Sequence, residues 1–367
     1  MSSWMFARST TWMEQSFPEL RCLNLRSSCG DLTVLPSTFL NGPTSSPNQL
    51  RHICLDNISI PALPQFLQVV RSRNLVSLSL GSNFLAGERF PSPEALVAAL
   101  SATTRLRLLS LREDSSVPYP EQGSAQSPPQ DLTGLPILTT LGFRGSVEYL
   151  EDLVSRIRAP LVEQLTVSVS FSQRRAIEVP QLSEFISRTK ELSSIPFRTC
   201  IGLSSRQLSI EHGFKDPSPQ WKHEEEIFLD LECHHDSWEM SQVVHICRQS
   251  SLLISCSRRL DVSVSELGSH FWLDSISWLQ FLGPFNGVEI LGVCHLADVC
   301  LCRTPKPLVQ STAEMVLEAF PALHILEKCD CPNSTECIPK LFVAACERAG
   351  RPLKVYCGWR SEETPAT

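Results

Sequence analysis

The chain has 367 residues, of which 50 are leucine and 42% are hydrophobic, so it can bury a large core and is not a disordered polymer. Its 32 basic and 39 acidic residues give a net charge of −7, which removes the electrostatic basis for a nucleic-acid binder. No run of about 18 uninterrupted apolar residues exists to cross a membrane as a helix, and Met1 to Ser16 (MSSWMFARSTTWMEQS) lacks the apolar stretch of a secretory signal.

Residues 1–16 read as a lead-in. From Phe17 onward one phrase recurs: Leu20-x-x-Leu23-x-Leu25, Leu50-x-x-Ile53-x-Leu55, Leu75-x-x-Leu78-x-Leu80, Leu106-x-x-Leu109-x-Leu111 and Leu138-x-x-Leu141-x-Phe143. A looser copy follows at Val162-x-x-Leu165-x-Val167. The last anchors are spaced 30, 25, 31, 32 and 24 residues apart, the range of long leucine-rich repeats. In each copy the two apolar residues of L-x-L leave a short strand on the same side, because strand side chains alternate with period two. Cys22 and Asn24, Ser77 and Ser79, and Thr140 and Gly142 then face the other way.

Helical patterns follow the strands at Pro61–Val70, Pro93–Leu100, Val147–Ile157 and Gln181–Ser187. Val147, Leu150, Val154 and Ile157 recur at helical spacing on one face. Glu113–Asp131 (EDSSVPYPEQGSAQSPPQD) is rich in Pro, Ser and Gln and reads as a mobile inserted loop. Asn41–Gln49 and Glu211–His223 read as shorter loops.

The second half keeps the alternation with a blurred phrase. Strands are expected at Ile227–Leu231, Leu260–Val264, Val288–Val293, Leu323–Leu326 and Leu353–Tyr356, with helices at Met240–Arg248, Trp272–Leu282, Ala313–Phe320 and Pro339–Arg348. A strand plus a helix cannot bury its own apolar face, but stacked units can. The expected fold is therefore α/β: a leucine-rich repeat solenoid over 17–359, with a parallel concave sheet and outer helices, closed by a frayed tail at 360–367.

The 15 cysteines are odd in number and mostly sit inside apolar runs, such as Cys22, Cys54, Cys247 and Cys346. They read as core thiols in a reducing compartment, cytoplasmic or nuclear. The C-terminal group Cys294-His295, Cys300-x-Cys302, Cys329-x-Cys331 and Cys337 has metal-ligand chemistry, but C-x-C is a poorer chelate than the paired knuckles of zinc sites. Packed or loop thiols are the preferred reading there, and for Cys233-His234-His235-Asp236 as well. No phosphate loop, dinucleotide loop or nucleophile elbow is present. Glu224-Glu225-Glu226 reads as a solvated strand entry, and Glu151-Asp152 as the polar side of a helix. No cofactor, no metal and no catalysis are expected.

Several phrases carry a family likeness. Leu135–Leu165 (LPILTTLGFRGSVEYLEDLVSRIRAPLVEQL), VPQLSEFISRT at 179–189, Trp278–Val293 (WLQFLGPFNGVEILGV), AEMVLEAFPALHIL at 313–326 and Gly350-Arg351-Pro352 together resemble fungal F-box-type leucine-rich proteins, over roughly 17–358. The resemblance implies that the repeats recruit a target protein, while an N-terminal F-box would bind the adaptor of a cullin–RING ubiquitin ligase. The F-box itself is not found: the nearest string, Phe17-Pro18-Glu19-Leu20, runs directly into LRCLNL and reads as a strand entry. Contact with a ligase adaptor is expected only if an F-box lies upstream of Met1.

The residue after each L-x-L should fall in one row across the sheet: Arg26, Asp56, Gly81, Arg112, Arg144 and Ser168. Of these, Arg26, Asp56, Arg112 and Arg144 are the candidate contacts to a protein partner on the concave sheet, the guanidinium fork suiting carboxylate or phosphate. The functional expectation is a non-enzymatic protein-recognition scaffold, with no nucleic-acid and no membrane partner. The alternatives are an orphan structural or decoy repeat protein without a ligase link, and a degenerate metal enzyme.

Overall fold

The computed structural model describes residues 19–27, 33–34, 49–59, 74–82, 91–113, 132–171, 179–190, 192, 198–203, 207–213, 227–233, 257–264, 283–295, 320–328 and 346–357. The expected helices at 61–70, 240–248 and 272–282 lie outside them, as do the lead-in, the inserted loop beyond Glu113 and the tail. The chain divides into two compact units, residues 1–170 with 180–192, and residues 171–179 with 193–367.

In the first unit the strands are β1 (Cys22–Arg26), β2 (Thr33–Val34), β3 (His52–Asp56), β4 (Ile58–Ser59), β5 (Ser77–Ser82), β6 (Leu108–Glu113), β7 (Thr133–Gly134), β8 (Thr140–Ser146), β9 (Ile157–Arg158) and β10 (Gln164–Phe171). The main sheet runs β1-β3-β5-β6-β8-β10, every neighbouring pair parallel. The short strands pair separately, β2 with β4 and β7 with β9.

The recurring phrase dictates the register. Leu23, Ile53, Leu78, Leu109, Leu141 and Leu165 are mutual partners across the sheet, and so are Leu25, Leu55, Leu80, Leu111, Phe143 and Val167. From Ile53 onward these two ladders are buried, and so are the leading anchors Leu50, Leu75, Leu106, Leu138 and Val162. Each strand begins the same way. The carbonyl of Thr139 accepts hydrogen bonds from the N–H groups of Glu163 at 2.8 Å and Gln164 at 3.0 Å, and those of Arg21, Arg51, Val76 and Arg107 do the same for the following strand. One doubly used carbonyl per repeat fixes where pairing starts, so a slip would break both the ladder and its entry.

Among the described residues three helices supply the other side of this core: α1 (Pro93–Leu100), α2 (Val147–Arg156) and α3 (Pro180–Ser187). Ser92 caps α1 by accepting from the N–H of Ala95 at 3.2 Å, ahead of Pro93 in the first turn where no N–H is needed. Ser146 caps α2 through the N–H of Tyr149 at 3.3 Å. Tyr149, Leu150, Leu153 and Val154 form the buried face of α2, and the Tyr149 ring stacks on Phe143 of β8 at 5.8 Å. Glu151 is not simply on a polar face, as the sequence pattern suggests. Its carboxylate accepts the N–H groups of Gln181 at 2.8 Å and Leu182 at 2.9 Å, capping α3 from the preceding helix. Burial pushes this carboxyl up from its usual range, against the pull of those two donors.

The second unit contains β11 (Arg198–Leu203), β12 (Gln207–Gly213), β13 (Ile227–Cys233), β14 (Arg259–Val264), β15 (Ile290–His295), β16 (Ile325–Lys328) and β17 (Lys354–Cys357). Its strand order is β13-β12-β11-β14-β15-β16-β17. The five strands expected here are present, displaced by up to two residues. The wholly parallel sheet needs correction, because β12 runs antiparallel to both β11 and β13. Only residues 204–206 separate β11 from β12, and a link that short permits only a reversed neighbour. The loop expected at Glu211–His223 is corrected for Glu211–Gly213, which close β12, and the rest of it lies outside the described residues.

The cysteines also divide. Cys346 is buried, but Cys22 is exposed and Cys54 half-buried, both unpaired thiols. The latter two occupy the alternate positions of L-x-L, which face away from the core however apolar their neighbours are.

Candidate functional site

The face of the first sheet opposite the leucines carries three rows. The first is Cys22, His52, Ser77, Leu108, Thr140 and Gln164, and the second is Asn24, Cys54, Ser79, Ser110, Gly142 and Thr166. Small side chains dominate the second row. Above that floor the third row runs Arg26–Asp56–Gly81–Arg112–Arg144–Ser168, each residue the register partner of the next. All four sequence-derived candidates thus stand in one line on neighbouring strands.

Arg26, Arg112 and Arg144 are exposed and Asp56 is half-buried. None of these four side chains makes a hydrogen bond or ion pair among the described residues. Gly81 is what separates the charges. A Cβ there would stand 2.8 Å from Oδ1 of Asp56, so the carboxylate leans into the space that the glycine leaves open. Arg112 and Arg144 have no such spacer. At the ~4.8 Å strand spacing two unit charges repel by somewhat under about 1 kcal/mol in water, which hydration sustains but an anion would relieve. The row therefore holds an excess of positive charge at its β6–β8 end, within a chain whose net charge is −7.

The second unit holds a different arrangement, not anticipated from sequence. On its sheet Cys200, Asp261, Gly292, Glu327 and Tyr356 are successive register partners. Asp261 is buried and faces Arg259, whose Nε donates to its Oδ2 at 3.1 Å, while Nη2 of Arg259 reaches Oε2 of Glu327 at 2.8 Å. The Cys200 thiol donates to Asp261 Oδ2 at 3.8 Å. Burial alone would lower the pKa of Arg259, but Asp261 and Glu327 outweigh it and raise it. Among the described residues these charges pair with one another, as in a structural cluster. The signal in sequence was Arg259-x-Asp261, two positions that share one face of a strand.

Across the same sheet, on the core side, His212 is 1% exposed. Its Nδ1 lies 2.9 Å from Thr199 Oγ1, which is 2.8 Å from Ser257 Oγ. Ser257 in turn donates to the carbonyl of Arg259 at 3.1 Å. Nε2 of His212 has no partner.

Among the described residues no group of three or more His, Cys, Asp or Glu could hold a metal ion. Of the cysteine–histidine groups singled out in sequence, only the backbones of Cys233, Cys294 and His295 are described, as strand residues. The rest of both groups lies outside the described residues.

No family model matches the chain, and no curated protein matches it. Among solved structures it is similar to the leucine-rich repeat-containing protein LegL7 from Legionella pneumophila, at 13% identity and a TM-score of 0.33 over 93% of this chain and 94% of that one. At that level of similarity the architecture stands on the strand register given above, and the match adds nothing about activity.

Proposed function

We propose that the chain is a leucine-rich repeat solenoid acting as a non-enzymatic protein-recognition scaffold, comparable to the target-binding part of an F-box ubiquitin-ligase receptor. The observation that carries this reading is the line of charges Arg26, Asp56, Arg112 and Arg144, unpaired among the described residues, on an exposed sheet face floored by small side chains. A solvent-facing parallel face is unusual, since strands of such sheets are commonly covered on both sides. Affinity then comes from a broad surface with a few charged anchors. The thiols of Cys22, Cys54 and Cys346, none of them in a disulfide among the described residues, support a reducing site of action, the cytoplasm or nucleus.

The test is partner capture by the purified chain, mapped by cross-linking. Cross-links should fall on β5, β6 and β8, and Arg112→Glu with Arg144→Glu should abolish capture. Arg158→Glu, an exposed charge change on the separate β7–β9 pair, should not. Undiminished capture by the double reversal overturns the reading. Binding of the chain to a ligase adaptor decides the F-box comparison separately.

A further inference from the structure

Resting on that scaffold reading, we infer that the Arg112–Arg144 end of the row takes an unmodified acidic segment of a partner, laid across the strands, with a basic residue of the same segment directed toward Asp56. The geometry sets the pattern. Arg112 and Arg144 are register partners on adjacent strands, exposed, and free of ion pairs among the described residues. In an extended ligand, side chains at i and i+2 share one side and lie about 7 Å apart. Two long guanidinium side chains rooted ~4.8 Å apart splay to that distance and reduce their mutual repulsion as they do so. Two carboxylates at i and i+2 therefore meet one guanidinium each, in the bidentate mode the fork favours.

Asp56 makes the surface polar. It lies two strands from Arg112 across Gly81, about 10 Å at ordinary strand spacing. The same-side positions of an extended chain that reach past that distance are four residues apart, about 14 Å, and a long basic side chain leans back over the difference. A run of acidic residues long enough to reach Asp56 meets a carboxylate that no side chain at position 81 screens. A Lys or Arg four positions from the nearer acidic residue, on the same side of the extended chain, meets the Asp56 carboxylate instead. The row thus discriminates by charge order as well as by charge, using repulsion against uniformly acidic chains. The open β5–β6–β8 floor, with Ser79, Ser110 and Gly142 at its centre, leaves room for the ligand backbone.

The experiment uses the full chain and fluorescein-labelled nonapeptides in anisotropy titrations at low and physiological salt. The reference peptide is Gly-Lys-Ala-Ala-Ala-Glu-Ala-Glu-Gly. Relative to it, replacing Lys by Glu should weaken binding by about fivefold, and replacing both Glu by Gln by about tenfold or more. Arg112→Gln with Arg144→Gln should remove the preference for Glu over Gln. Asp56→Lys should invert the preference between Lys and Glu, a reversal that general loss of folding cannot produce; unchanged urea midpoints confirm that the variants fold. The inference is overturned by an unchanged Lys/Glu preference in Asp56→Lys. It is also overturned if a peptide with one phosphoserine in place of the two Glu binds more tightly, or if a nine-nucleotide single strand competes equally. If the peptides fail while partner capture still requires Arg112 and Arg144, this inference falls and the scaffold reading stands. If capture ignores both arginines, both fall.

Discussion

Nδ1 of His212 lies 2.9 Å from Oγ1 of Thr199, while the opposite ring nitrogen is buried without a hydrogen-bond partner among the described residues. Where Ser257 gives its hydroxyl proton to the carbonyl of Arg259, Thr199 donates to Ser257 and His212 donates from Nδ1 to Thr199, the order that leaves no buried N–H unmatched. Nε2 is then a bare lone pair, which costs less to bury than an unmatched N–H. Protonating the ring would create that unmatched donor with a charge on it.

The consequence is acid sensitivity of the second unit. Burial lowers the His212 pKa from 6.5 to about 4, so the unfolded chain takes up this proton before the folded one. The stabilisation is complete above pH 6.5 and drains away as pH falls from there through 4. A gap of about 2.5 units corresponds to about 3 kcal/mol across that window. Urea unfolding followed between pH 7 and pH 4 should show this slope, and His212→Leu should flatten it. An equal slope in the variant places the acid sensitivity elsewhere. Nitrogen NMR shifts of the imidazole at pH 7 should report the Nδ1–H form.

Arg188 contributes a second kind of tie between successive repeats. Its Nη2 donates to the carbonyls of Val154 at 2.7 Å and Ile157 at 3.0 Å, the C-terminal end of α2, while its guanidinium sits 5.7 Å from the ring of Phe185. A cation there satisfies orphan carbonyls and complements the negative end of the helix dipole. Arg351 in the second unit likewise donates to two backbone carbonyls, those of Phe320 and Pro321. Arg188→Met keeps the stem but leaves those acceptors unsatisfied, so it should cost about 1–3 kcal/mol in denaturant unfolding. The ion pair with exposed Glu184 is a poor alternative source for that loss, and Glu184→Gln should be nearly silent.

These ties explain where sequence was and was not sufficient. The ladders of Leu23 to Leu165 and the charged row from Arg26 to Ser168 follow from spacing alone, because a period-two strand repeated in register leaves each side chain one place to go. The β11–β12 hairpin did not show itself. Gln207–Gly213 (QLSIEHG) alternates properly, but it carries a charge and a histidine where the other strands are apolar, and the pattern gives no direction. His212 could not be placed in the core by its type, since the Thr199 and Ser257 hydroxyls that admit it lie 13 and 45 residues away in the sequence. Likewise Glu151 looked solvent-facing until the backbone of α3 came beside it.

The thiols offer a direct check on which cysteines pack and which do not. Burial pushes the Cys346 thiol up to about 11, so at pH 8 only about one molecule in a thousand is the reactive thiolate. Cys22 is exposed on the open face of β1. Iodoacetamide at pH 8, followed by peptide mass spectrometry, should label Cys22 readily and leave Cys346 largely unmodified until denaturant is added. Early labelling of Cys346 would contradict its place beneath the last repeat.

Gly292 tests the structural cluster of the second unit. A Cβ at this position would collide with Oδ1 of Asp261, and that carboxylate is not free to swing away because Arg259 holds it. Either the Arg259–Asp261 pair opens, leaving partly buried charges unmatched, or the β14–β15 strands separate locally. Gly292→Ala should therefore destabilise by about 1–3 kcal/mol, although alanine suits a strand better than glycine does. Asp261→Ala takes from Arg259 the carboxylate that its Nε contacts and should also destabilise. Combined with Gly292→Ala, however, it removes the atom that the new methyl meets. The double variant should then be less destabilised than the two single losses summed. Simple additivity in a double-mutant cycle would show that Gly292 is needed for some reason other than the Asp261 carboxylate.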